Sequence, residues 1–461
     1  MLGIALRHDG EVGLSQQIYR SLKAQIITGQ LTQGEELPST RELAGALDVS
    51  RNTVSVAYDM LWTEGYINRK QGAPSRVANG LQLKHLQAAN ESPKAQAVRK
   101  PDILWNFQSG KPDLSVFPWT SWNQMIKQAA DTLSPRQLAY TGPKGYEPLC
   151  EEIAGWLFRT RGMEVKAGDV FITSGATQAL FLLVEMFGRT RLPFALEDPS
   201  HPGVRTLLKD RGIPVHWMRV DAQGADVASL NGRDIAAAYV TPSHQFPLGG
   251  ILPAARRAAL IRYAAEKDFY IMEDDYDSEF RYEGSPVSPI YTMDSTRVAY
   301  IGTFSKTMFP ALRIGFAVLP KALQGRWRHA KTYLDVQNPV LEQAALQAFL
   351  QARKMDKHIR HMRRLYGEKR GVLLESLRQS FGTAVVPWGD ASGLHIALQF
   401  PQHRFDETFA AMCRKRGMRI APLMRYCAGE QTHEDKLLLG YGHLNPEQIR
   451  DGVRMLRQWI G

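Results

Sequence analysis

Lys306 lies in the stretch GTFSKTMFP, residues 302–310, with Thr303 and Ser305 just before it and Arg313 seven residues after it. A lysine amine can condense with a carbonyl to give a Schiff base, while two hydroxyls and a guanidinium hold a phosphate. A second set is Ser174-Gly-Ala-Thr-Gln178, which opens a helix. The free N–H groups and dipole of that helix start, with the Thr177 hydroxyl, also favour a phosphate. The third set is Glu273-Asp274-Asp275-Tyr276, whose carboxylate could keep a ring nitrogen protonated and make that ring an electron sink. Each set alone has a plain alternative: Lys306 as a surface cation, the acidic run as a magnesium site or nothing, the helix start as an ordinary turn.

The elements that position these residues argue for more. Each set follows a short β-rich run, DVFITS, FYIMED or RVAYIG, and PFALED, AAAYVT and IGFAVL have the same character, with helical stretches between them. This predicts an α/β domain with a mostly parallel sheet and a ligand site beyond the strand C-termini. Three weak signals at successive strand ends support one another.

The front of the chain reads differently. Leu14, Ile18, Leu22 and Ile26 recur at helical spacing, and Gly29 ends that helix. Ser39-Thr-Arg-Glu42 is a capping box that starts a second helix through Leu47. Asp48-Val49-Ser50 makes a turn, with Ser50 as N-cap of a third helix whose Val54, Ala57, Tyr58 and Leu61 face inward. Arg51, Asn52 and Ser55 then face out. Such a helix-turn-helix puts its last helix in the major groove, where Arg51 can fork to guanine and Asn52 to adenine. Thr40, Arg41 and Thr53 suit phosphates better. Beyond Gly65, YINRKQGAPSRV reads as two short strands around a turn at Gln71-Gly72-Ala73, flanked by Lys70 and Arg76. Capped helices at this spacing also occur in proteins that never touch DNA.

At 461 residues and 44% hydrophobic composition the chain should hold two or three domains. Residues 79–103 lose periodicity and have linker composition, so the expected boundaries are a DNA reader at 1–78, a linker at 79–103 and a second domain at 104–461. About 25 flexible residues average roughly 25 to 30 Å end to end and stretch to roughly 80 Å. The formal charge of +11 does not locate the DNA-binding end, because basic and acidic residues balance in 1–78. Much of the excess lies in 353–370, which is expected to be a solvated helix face. Cys150, Cys413 and Cys427 are too scattered for a disulfide framework or a zinc site, so core thiols in a reducing compartment and no metal are expected. With no signal pattern and no apolar run long enough to span a bilayer, the expectation is a soluble cytoplasmic protein with no membrane partner.

The stretch from Gly34 to Tyr66 resembles the GntR family of bacterial regulators through the pattern G..LPSTRELA..L.VSRNTV..AY..L..EGY. That resemblance places contacts to double-stranded DNA on Arg41, Ser50, Arg51, Asn52 and Thr53 and, in the wing, on Gln71 and Gly72; Ala73 stands where the wing usually has a second glycine. Residues 104–461 resemble fold-type I aminotransferases, which implies a large parallel-sheet domain, a smaller C-terminal α+β domain and pyridoxal 5'-phosphate as cofactor. By that resemblance Lys306 carries the cofactor, Asp274 pairs with its ring nitrogen and Tyr276 with its ring oxygen. Ala176, Thr177, Thr303, Ser305 and Arg313 hold its phosphate. In TPSHQFPLGG, His244 or Gln245 must substitute for the asparagine that such enzymes place near the ring oxygen. Tyr140, in YTGPKG, resembles a tyrosine that reaches the phosphate of a neighbouring subunit, which implies a homodimer.

Together the two halves resemble the MocR or GabR-like regulators, with close versions of their motifs in TPSHQFP, EDDYDSEFRY and EDPSHPG. In the last of these His201 replaces the tyrosine that stacks on the cofactor. In Leu438-Leu439-Gly440-Tyr441 a leucine stands where aminotransferases carry the arginine that forks the substrate carboxylate; Arg425 is a candidate substitute. The resemblance implies a transcriptional regulator that senses an amino compound or pyridoxal phosphate itself. The alternatives are an active aminotransferase with an accessory front domain, and a repressor that has lost the cofactor.

Overall fold

A computed structural model describes residues 3–7, 12–70, 73–80, 102–284, 286–389, 391–429 and 433–460. The chain divides into two compact units, Met1–Arg99 and Lys100–Gly461. Residues 81–101, most of the expected linker, lie outside the described residues, as do Gln71 and Gly72.

The front unit holds helices α1 (Leu14–Thr28), α2 (Thr40–Leu47) and α3 (Arg51–Thr63), then antiparallel strands β1 (Ile67–Asn68) and β2 (Arg76–Val77). Ile18, Leu22 and Ile26 lie on one face of α1 and pack against Val54, Ala57, Tyr58 and Leu61 of α3. The local signals act as their types dictate. Gly29 ends α1 in the left-handed conformation, and Ser39 and Glu42 exchange both bonds of a capping box at 3.2 and 2.8 Å. The Tyr58 hydroxyl donates to the Pro38 carbonyl at 2.8 Å and so fixes the approach to α2 against α3.

The back unit contributes β3 (Trp105–Asn106), β4 (Val170–Thr173), β5 (Phe194–Asp198), β6 (Val215–Asp221), β7 (Gly224–Ala225), β8 (Ala237–Val240), β9 (Tyr270–Asp275), β10 (Val298–Thr303) and β11 (Gly315–Val318). Eight of these form one sheet in the order β4, β11, β10, β9, β8, β5, β6, β7. The central pairs β10–β9, β9–β8, β8–β5 and β5–β6 are parallel, whereas β11 runs antiparallel to β4 and β10, and β7 to β6. Side chains of the sheet enter two apolar clusters. Phe171, Leu196 and Tyr239 pack with the helix Ala176–Phe187 in one, and Ile172, Val240 and Ile271 pack with Ile153 and Phe349 in the other. Burial on both faces explains why these strands read as continuous apolar runs. All six runs expected as strands are strands. The half-buried β6, sequence VHWMRVD, was not among them.

The chain then forms β12 (Val386–Trp388), β13 (His395–Gln399), β14 (Met418–Arg419), β15 (Ala421–Pro422) and β16 (Lys436–Gly440). Strands β12, β13, β16 and β15 make an antiparallel sheet backed by the helices Lys354–Phe381 and Pro446–Ile460. The first of these helices contains most of the basic run 353–370. Its Arg360, Arg364 and Lys357 are exposed or half-exposed, but Lys369 is buried and donates to Asp113 Oδ2 at 2.6 Å and to the Gly442 carbonyl at 2.7 Å. One cation of the expected solvated face therefore holds the core together. Strand β3 pairs in parallel with β14, and the next residue, Phe107, accepts from Gly440 N at 2.8 Å. The first described stretch of the back unit is thus woven into the small sheet before it reaches the large one.

Candidate functional site

A cavity of about 270 Å³ opens where β4, β9 and β10 end. Lys306 lines it, and its Nζ donates to the Gly110 carbonyl at 2.7 Å. Burial lowers the Lys306 pKa, against the pull of the Asp277 and Asp274 carboxylates, so the uncharged amine that attacks carbonyls is reached at lower pH than for free lysine. Gly110 has φ +72°, and a Cβ there would sit 2.7 Å from Lys306 Nζ. Glycine at this place leaves room for the amine.

Asp274, the last residue but one of β9, lies on the cavity wall. Its Oδ2 accepts from the Tyr239 hydroxyl at 2.9 Å, whereas its buried Oδ1 has no partner. Burial raises this carboxyl to about 7, partly opposed by the Tyr239 bond. A cationic ring N–H would satisfy Oδ1 and favour the carboxylate form, so the donor set fits pyridoxal phosphate. Tyr276 also lines the cavity and its hydroxyl lies 3.0 Å from His244 Nδ1, which is 2.8 Å from Asp277 Oδ1. Asp277 is held below the usual carboxylate range: burial pushes it up, but His244, His395 and Lys306 outweigh that.

Beyond β4 the chain turns at Gly175, φ +78°, into the helix Ala176–Phe187. Ala176 and Thr177 line the cavity at the start of that helix, with Thr303, Ser305 and Arg313 beside them. Arg313 Nη2 donates to the Ser174 carbonyl at 2.5 Å, and a Cβ on Gly175 would meet that guanidinium at 2.9 Å. The Thr303 hydroxyl donates to Ser305 Oγ at 3.0 Å. Helix N–H groups, two hydroxyls and a guanidinium on the wall of one cavity are a donor set able to hold a phosphate. His201 reaches the same cavity as N-cap of the helix Pro202–Asp210, its Nδ1 accepting from Gly203 N at 3.2 Å. Burial and the Lys306 charge lower its pKa to about 4; the residue keeps accessible surface, so solvent screens part of that effect.

Four expected site residues stand elsewhere. Neither His244 nor Gln245 lines the cavity; Phe246, next along, does. Gln245 is tied to its own loop, with Nε2 donating to the carbonyls of Pro199 and Phe246 at 2.9 and 2.7 Å. His244 acts at one remove, through Tyr276 and through His395, whose ring centroid is 4.9 Å away. Arg425 does not enter the cavity either, because Glu407 holds it in a two-pronged pair at 2.8 and 2.6 Å. Tyr140 is 87% exposed and does not line this cavity. Residues that the sequence reading missed on the wall include Ser109, Gly110, Tyr239, Thr241, Phe246 and His395.

In the front unit Arg41, Ser50, Arg51 and Asn52 are exposed and Thr53 is half-buried. Ser50 Oγ accepts from Thr53 N at 3.1 Å and lies 2.8 Å from Thr53 Oγ1, so these two hydroxyls cap α3. Arg51 Nε donates to Thr40 Oγ1 at 3.3 Å, linking the starts of α2 and α3. Arg76 is paired with Glu36 at 2.9 Å, and Arg69 with Asp59.

Residues 14–77 match the family described as bacterial regulatory proteins, gntR family, and residues 103–428 match aminotransferase class I and II. The chain belongs to the MocR-like group of GntR regulators, in which a helix-turn-helix unit is joined to an aminotransferase-like domain of fold type I. It is a transcriptional regulator. Among its relatives, the probable rhizopine catabolism regulatory protein MocR of Rhizobium meliloti is 30% identical, over 98% of this chain and 95% of that one. The pyridoxine biosynthesis transcriptional regulator PdxR of Corynebacterium glutamicum is also 30% identical, over 97% and 96%. The back unit is similar to the multiple substrate aminotransferase of Thermococcus profundus, at a TM-score of 0.71 and 25% identity over 79% of this chain and 92% of that one.

Proposed function

We propose that this regulator binds pyridoxal 5'-phosphate at Lys306 and double-stranded DNA through its front unit. Cavity occupancy, by an amino compound or by the cofactor itself, then sets how the DNA readers engage. The observation that carries the reading is the open Oδ1 of Asp274 in one cavity with Lys306 and the Ser174–Thr177 cradle. Bound there, the cofactor supplies an aldehyde and an electron-withdrawing ring. Lys306 offers a poised amine, and Asp274, oriented by Tyr239, holds the ring proton. Tyr276, backed by His244 and Asp277, would bond the ring oxygen. Ala176, Thr177, Thr303, Ser305 and Arg313 would hold the phosphate, and the His201 imidazole would pack on the ring.

The DNA contacts fall on Arg41, Ser50, Arg51, Asn52 and Thr53, with Gln71 and Gly72 completing the wing. The working divisions are a reader at 1–78, a linker at 79–103 and an effector domain at 104–461. Its place is the cytoplasm, and no helix among the described residues is long and apolar enough to cross a membrane. The exposed ring of Tyr140 supports a homodimer in which it meets the partner's phosphate cradle. Effector sensing requires that the ligand bind the two arrangements of the regulator unequally. Operator affinity measured with and without pyridoxal phosphate, and then with amines added, tests this; an affinity that never changes refutes sensing.

A further inference from the structure

Strands β13 and β16 place His395 opposite Gly440 and Ala397 opposite Leu438, and β15 places Ala421 opposite Leu438. Alternate residues of paired strands share a face, so His395, Ala397, Leu438 and Gly440 lie on the same side of this sheet. That side meets the cavity. His395 and Phe246 line it, Leu438 is buried in one cluster with Phe246, Ala397, Ala421 and Leu423, and a Cβ on Gly440 would strike the wall residue Ser109 at 2.6 Å from its Cα. Among the described residues no lysine or arginine of this face lines the cavity; Lys436, two residues before Leu438, is paired with Asp435 at 2.8 Å. Arg425 is paired with Glu407, and Arg205 donates to the carbonyls of Arg425 and Cys427. The cations on the wall are Lys306 and Arg313, the second fixed at the phosphate cradle by Ser174.

We propose that the amine recognised by this cavity carries no carboxylate and presents a second N–H or O–H donor, as a diamine or an amino alcohol does. An amino acid would have to bury its carboxylate against Phe246, which Leu438 backs, without a partner, and that costs far more than burying a neutral group. An amine meets the opposite conditions. The buried Asp277 carboxylate, 2.8 Å from His244 Nδ1 and within 4.8 Å of a His395 ring nitrogen, favours a cation near Lys306. The buried Nε2 of His395 has no partner and is a lone pair waiting for a donor. Burial holds this imidazole neutral, at a pKa of about 3, so it accepts at any physiological pH.

This inference rests on the cavity holding pyridoxal phosphate. The test therefore begins with uptake of the cofactor by the full chain, read as visible absorbance. Calorimetry of the loaded protein then compares pairs that differ by one carboxylate: 1,4-diaminobutane with ornithine, and ethanolamine with serine. The expected result is tighter binding of the carboxylate-free member by about tenfold or more, with Leu438→Arg narrowing or inverting the ratio and His395→Phe weakening the diamine. Without cofactor uptake the reading of the cavity falls, and this inference with it. If uptake is normal but the amino acids bind as tightly as the amines, if no member of either pair binds, or if a folded Leu438→Arg protein keeps the wild-type ratio, this inference alone falls. Should Leu438→Arg fail to fold, the wild-type pairs decide.

Discussion

Lys306 Nζ and the Gly110 carbonyl oxygen are hydrogen-bonded at 2.7 Å, so the amine at the centre of the cavity is held by backbone nearly two hundred residues earlier in the chain. Replacing Lys306 with alanine removes the nucleophile and leaves the cradle. The Lys306→Ala protein should show no lysine-dependent visible band with pyridoxal phosphate, while retaining weak, reversible affinity that dialysis removes.

Tyr239 and Asp274 form the second support. Tyr239→Phe deletes one hydrogen bond to a carboxylate, worth about 1.5 to 3 kcal/mol, so cofactor affinity should drop at least about tenfold. Asp274→Asn should lose more, because the ring nitrogen then lacks its counter-charge. Fluorescence titration of both variants measures the difference.

The pH dependence of cofactor uptake follows from Lys306. The reactive form is neutral, and burial shifts its pKa below that of free lysine, so uptake should quicken as pH rises and level off at a lower pH than the reaction of free lysine does. Asp277 and Asp274 stabilise the ammonium. Asp277→Asn should therefore move the profile toward lower pH. Stopped-flow absorbance across pH 6 to 10 reads the shift, and a profile displaced upward contradicts the assignment.

On the DNA side, Arg51→Ala and Asn52→Ala should each cost about 1 to 3 kcal/mol on the operator and relax its sequence preference. Arg41→Ala should weaken operator and scrambled DNA alike and flatten the salt dependence. Fluorescence anisotropy on both duplexes at two salt concentrations separates the two kinds of contact.

A homodimer with Tyr140 crossing to the partner predicts that Tyr140→Phe weakens cofactor binding although the ring is exposed on its own chain. Mixing this variant with Lys306→Ala should restore some tight sites, because one interface of a mixed pair carries both wild-type residues. Sedimentation and absorbance of the mixture test it together.

Local chemistry was legible in the sequence wherever one strand end carried its own motif. Lys306, Asp274, Thr177 and Arg313 each follow an apolar run that forms a strand, and the capped helices of the front unit were readable from Ser39, Glu42 and Ser50. Tyr239 and His395 gave no such signal. Each looks like one more buried aromatic in a strand, and only the sheet register brings it to the cavity. Which residue of His244, Gln245 and Phe246 turns inward is decided by the backbone path of the loop, which no spacing encodes. Arg425 was a reasonable candidate by charge, but its partner Glu407 comes from another helix.

Between Leu104 and Gly110 the backbone takes its bonds from Gly417, Arg419 and Gly440 and then gives its last carbonyl to Lys306. The first described segment of the back unit is therefore also part of the cavity wall. Whatever the Lys306 amine exchanges for that carbonyl is therefore felt first at Gly110, at the far end of a stretch whose beginning is pinned to Gly417 and Arg419.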